Sequence, residues 1–150
     1  MRPTAIISLG LLAACGPMYT ISGEIDAEQG CWVVFQGDTL RAPAATIERR
    51  QTEEVPTHLM CGNYNDHGVA IVLSLGRAET KAGQYHVIPG NFGADPKYGT
   101  VSVHLPDPNG VAGGMRVRLE RGTIGVSRTA TEQGYHIRFH GTGEEAAFGH

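Results

Sequence analysis

The strongest constraint on this chain is a two-residue alternation of apolar and polar side chains in its C-terminal third. Val101, Val103 and Leu105 are followed by Met115, Val117 and Leu119, by Ile124 and Val126, and by Tyr135, Ile137 and Phe139. The positions between them hold Ser102, His104, Arg116, Arg118, Glu120, His136, Arg138 and His140. Successive side chains on a β-strand point to opposite faces, so this pattern demands strands with one face on a core and the other in water. A one-residue slip would bury the charged set, and the register is therefore firmly specified.

A second alternation starts at Tyr19, with Tyr19, Ile21 and Ile25 on one parity and Thr20, Ser22, Glu24 and Asp26 on the other. Further strands are predicted at 31–36, 57–61, 68–75, 84–88, 100–105, 115–120, 123–128 and 135–142. Turn clusters separate them, such as Gly62-Asn63-Tyr64-Asn65-Asp66, Pro106-Asp107-Pro108-Asn109-Gly110 and Gly113-Gly114. The segment 44–54, with Glu48, Arg49, Arg50, Glu53 and Glu54, fits either a short helix or an exposed edge and loop. With 150 residues there is room for one core, and a chain of this size buries roughly 68–70% of its unfolded surface. The expectation is an all-β fold, an antiparallel β-sandwich or a partly closed barrel, in a single domain over residues 19–150.

The N-terminus reads differently. Arg2 precedes an apolar run from Thr4 to Ala14 that is broken only by Ser8 and Gly10. A membrane-spanning helix needs about 20 apolar residues, so this run is too short to span but suits the apolar region of a signal peptide. Leu12-Ala13-Ala14-Cys15-Gly16 follows, and it resembles the lipobox of bacterial lipoproteins. The resemblance implies cleavage of residues 1–14, acylation of Cys15, and a short lipid-anchored tether at 15–18. It also implies an extracytoplasmic address. Gly16 is not the aspartate that often marks inner-membrane retention in such proteins, so the periplasmic side of the outer membrane is favoured where the host has one. At about 3.4 Å per residue the tether reaches about 14 Å, which keeps the domain against the bilayer. The segment 122–142 looks like the closing hairpin of small bacterial β-sandwich lipoproteins, a similarity of pattern that carries no chemistry.

Cys31 and Cys61 remain after acylation of Cys15, and in an oxidising compartment their pairing is the default expectation. Trp32 then reads as a core aromatic packed on that bond.

Processing leaves 11 basic and 15 acidic side chains, a charge of −4. That balance argues against nucleic-acid binding driven by overall charge. Charge is nonetheless segregated, because Arg116, Arg118, Arg121, Arg128 and Arg138 outnumber Glu120 and Glu132. If their strands are neighbours, Arg116, Arg118, His136, Arg138 and His140 form a candidate binding face. Guanidinium pairing with phosphate or carboxylate makes an anionic lipid, an acidic glycan or an envelope protein the fitting partner. The bland alternative is an ordinary solvated face paired with Glu120.

His136 and His140 lie four apart on one strand, roughly 13 Å, too far to share one zinc ion. Asn63, Asn65 and Asp66 lack the spacing of a calcium loop and read as a turn. No Gly-rich phosphate loop, no Gly-x-Ser-x-Gly elbow and no arguable carboxylate pair occurs. No catalytic residue, metal or cofactor is therefore assigned. The expected function is a non-enzymatic, lipid-anchored binding or structural module. The alternative is an extracytoplasmic hydrolase or metal-dependent enzyme using His104, His136 or His140.

Overall fold

In a computed structural model, residues 17–53, 55–63, 68–78, 81–106, 114–131 and 134–146 are described. The lipobox, Asn65 and Asp66 lie outside them. The described chain forms ten strands: β1 (Met18–Asp26), β2 (Gly30–Phe35), β3 (Asp38–Ala42), β4 (Glu48–Arg50), β5 (Thr57–Gly62), β6 (Ala70–Leu75), β7 (Gly83–Val87), β8 (Tyr98–Leu105), β9 (Met115–Arg128) and β10 (Tyr135–Glu145). The only helical element among them is a 3-10 turn at Ala44–Thr46. The all-β expectation holds, in its partly closed form.

All ten strands belong to one sheet, in the order β3-β2-β1-β10-β9-β7-β8-β6-β5-β4. Pairing is antiparallel except for a short parallel contact of β7 with β8. Chain connectivity forces the sheet to curl. Its edge strands β3 and β4 are consecutive in sequence, joined by residues 43–47 alone. Five residues reach about 17 Å, whereas ten strands laid flat are roughly 43 Å wide. The edges must therefore come round to meet, and the sheet forms a half-barrel.

The seam is tied in two places. Cys31 of β2 and Cys61 of β5 form a disulfide with Cα atoms 6.4 Å apart, both buried. Beside it, Thr46 of the 3-10 turn accepts a hydrogen bond from the Gly62 amide at 2.9 Å and donates to the Pro43 carbonyl at 2.7 Å. The ambiguous segment 44–54 thus contains both a 3-10 turn and an exposed edge strand.

The core has the parity expected. Val101, Val103, Leu105, Val117, Leu119, Ile124, Val126, Tyr135, Ile137 and Phe139 are buried, and Ile21, Ile25, Val33, Leu59, Ile71 and Leu73 join them from the other strands. Residues 115–120 and 123–128, expected as two strands, are one. The apolar parity changes between Leu119 and Ile124 because Arg121 pairs with Thr142 and Leu119 with Gly143, which leaves Glu120 as the extra residue of a β-bulge. At this corner the strands approach closely. Gly122 has φ +148°, and a Cβ on it would lie 2.1 Å from the His140 carbonyl. N-terminal to the bulge β9 pairs with β8, and C-terminal to it with β7.

β3 was not foreseen. It enters through a two-residue hairpin at Gln36-Gly37, both at positive φ, as a type I′ turn requires.

Candidate functional site

Because Val33 and Cys31 of β2 point inward, Trp32 between them must point out. This corrects the reading of Trp32 as a core aromatic on the disulfide: its ring is half-buried on the outer face. Register places it in a row that crosses the sheet, Arg41 on β3, Trp32 on β2, Glu24 on β1, Arg138 on β10, Gly125 on β9 and Gln84 on β7.

Glu24 organises this row. Its Oε2 accepts a hydrogen bond from Trp32 Nε1 at 2.7 Å, and its Oε1 lies 2.7 Å from His136 Nε2 and 3.0 Å from Arg138 Nε. The Arg41 guanidinium stands over the Trp32 ring, 5.3 Å from its centre. The Trp32 and His136 rings are 6.2 Å apart. With Nε engaged, the Arg138 side chain is oriented by Glu24 while remaining 73% exposed, which leaves its guanidinium open to a ligand. Such a fork suits a planar anion, and holding it in place beforehand reduces the entropy lost on binding.

Two shallow depressions flank Arg138. One, of about 450 Å³, is lined by Ser22, Glu24, Trp32, Val34 and Arg138. The other, of about 410 Å³, is lined by Gly83, Gln84, Gly125, Ser127 and Arg138. The second exists because Gly125 carries no side chain where the row crosses β9, and nothing lies within 4 Å of the position its Cβ would take.

The five residues proposed from sequence are only partly brought together. His136 and Arg138 share Glu24, and His140 lies two residues along β10 on the same face, opposite Ser22 and Thr123. Arg116 and Arg118 lie beyond the bulge, opposite His104 and Ser102 on β8, with Arg118 also opposite Glu144 on β10. The acid that partners His136 and Arg138 is Glu24, from the far end of the sequence, rather than Glu120. Only the β1–β10 pairing would have revealed it, since 112 residues separate Glu24 from His136.

The histidines named for the enzyme alternative are dispersed. His104 pairs with Arg116 and His136 with Ser127, and along β9 those partners are eleven residues apart, roughly 36 Å. The contacts of His136 are to the Glu24 carboxylate and the Trp32 ring. Among the described residues no group of three His, Cys, Asp or Glu side chains is placed to hold a metal ion.

His104 is held below its usual pKa, first by burial and then by the Arg116 guanidinium. Its native pKa lies below the unfolded value near 6.5, so the unfolded chain binds more protons as the solution is acidified. Stability from this group is present in full above about pH 6.5 and is lost as pH falls toward the native pKa. Urea midpoints between pH 7.5 and 5 are expected to fall for the native chain and to fall less for His104→Gln. In Arg116→Gln the His104 titration, followed by NMR, is expected to move upward; an unmoved titration would rule out the guanidinium as a cause.

No protein-family model, curated protein or solved structure matches this chain. The functional reading rests on the site itself.

Proposed function

We propose that this protein is a lipid-anchored, extracytoplasmic binding module, acylated at Cys15, whose ligand is anionic and docks on the outer sheet face at Arg138. The observation that carries the binding half is the gathering of Trp32, His136 and Arg138 on a single carboxylate, Glu24, between two open depressions. One acid orients a guanidinium, an imidazole and an indole, and with Arg41 on the ring the row keeps a net positive charge on a chain of negative charge. An arrangement of this kind favours anion binding with defined orientation over non-specific attraction. The address is supported by the lipobox-like segment and by the Cys31–Cys61 disulfide, a bond suited to an oxidising compartment.

With the lipid at Cys15, β1 begins three residues away at Met18, and Glu24 lies six residues further, roughly 20 Å up the strand. The binding face is thereby held above the bilayer rather than pressed against it.

The chain has one tryptophan, and it stands in the site, so its fluorescence reads occupancy directly. Titration with D-galacturonate as an anionic probe is expected to give a saturable change. Arg138→Gln is expected to weaken it by about tenfold or more, the scale of a lost charge-assisted hydrogen bond, and Arg118→Gln to leave it as it was. Equal loss in both variants, or none in Arg138→Gln, would contradict the placement of the site.

A further inference from the structure

We infer that the two depressions flanking Arg138 are consecutive subsites of one groove, and that the groove takes a linear acidic oligosaccharide lying across the strands with a carboxylate on the Arg138 fork. The inference rests on the anion-binding reading above and adds the class and length of the ligand.

Arg138 lines both depressions, so a ligand held on its guanidinium has one on either side within reach. From Trp32 on β2 to Gln84 on β7 the row crosses four inter-strand steps of about 4.8 Å, roughly 19 Å, the length of a short chain of sugar rings rather than of one. The walls alternate in the way such a ligand does. Trp32 and the 40%-exposed Val34 offer apolar surface to ring C–H groups. Ser22, Glu24, Gln84 and Ser127 offer hydroxyl, carboxylate and amide partners for sugar hydroxyls. Arg138 supplies the one outward fork, which matches a planar carboxylate.

Gly125 makes the test clean. A side chain there would fill the second depression, yet the position of its Cβ is open and its backbone φ lies outside the left-handed range. Leucine at this outward-facing, half-buried strand position should fold as well as glycine, or better, since glycine weakens a strand interior.

The experiment follows Trp32 fluorescence of the mature protein with D-galacturonate, tetragalacturonate, uncharged maltotetraose and phosphatidylglycerol vesicles. Tetragalacturonate is expected to bind about tenfold tighter than the monomer, and maltotetraose and vesicles to leave the signal flat. In Gly125→Leu, with a melting temperature no lower than that of the native chain, the advantage of the tetramer over the monomer is expected to vanish. Equal affinity for monomer and tetramer, both lost in Arg138→Gln, would overturn the groove while keeping the anion site; so would a tetramer advantage that survives Gly125→Leu, or a response to vesicles in place of sugars. A signal unmoved by either galacturonate and by the vesicles would remove the anion site together with the groove.

Discussion

Replacing both Cys31 and Cys61 by serine is expected to cost about 3.6 kcal/mol of stability, from the chain-entropy estimate for a loop of 30 residues. Against a typical total of about 5–15 kcal/mol this is a large share. At roughly 3–5 °C per kcal/mol for a domain of this size, the melting temperature should fall by roughly 10–18 °C. The geometry gives the loss a particular character. The bond joins β2 to β5 across the seam, near where the edge strands β3 and β4 are linked by residues 43–47, so the sheet would be left to curl on that link, packing and the Thr46 clasp. Reductant should shift the native chain by a similar amount and the double variant not at all. A double variant that melts within 2 °C or so of the native chain would mean that the half-barrel closes as firmly without the disulfide.

Gly143→Val is expected to be among the most damaging single substitutions in the β9–β10 hairpin. A Cβ at Gly143 would stand 2.0 Å from the Arg118 carbonyl oxygen and 2.8 Å from the Leu119 Cα, both backbone atoms that the ladder holds in place. Relief requires β9 and β10 to part at the bulge, where Gly143 pairs with Leu119. A cost of about 4 kcal/mol or more places this among the exceptional single substitutions. Gly125→Val, on the same hairpin but facing open space, is expected to be neutral or stabilising by a few tenths of a kcal/mol up to about 1 kcal/mol, since a β-branched residue suits an exposed strand. Urea midpoints of the two variants check the contrast, and similar losses in both would show that the hairpin tolerates no side chain at either place.

The inward face was legible in the sequence because a period of two needs only local information. Val101 to Phe139 alternate, and the structure buries them on one side. The bulge was less legible. Its trace is the parity change between Leu119 and Ile124, which reads equally as two strands separated by a turn at Arg121-Gly122; the choice is made by β10 running unbroken alongside. β3 was hidden because Asp38–Ala42 has only half-buried Leu40 and Ala42 to mark its inner face, and Gln-Gly is a weak turn signal. The site was half legible. Arg138 and His136 could be picked out as outward charges on a strand, but Glu24 sits on the first strand, and Trp32 was drawn toward the core by its neighbour Cys31. Which residues face outward follows from alternation; which of them meet follows from strand order, and a ten-strand sheet whose edge strands are sequence neighbours does not reveal that order locally.

The proposed placement of the site above a membrane requires export and acylation at Cys15, and the disulfide seam an oxidising compartment. Intact-mass analysis of the membrane fraction from expressing bacteria, with the native chain beside Cys15→Ser and each sample before and after reduction, tests that claim most directly. The account predicts a native mass that begins at acylated Cys15 and rises by two hydrogens on reduction, with Cys15→Ser lacking the lipid. An unprocessed, unacylated chain with free thiols at Cys31 and Cys61 would contradict it.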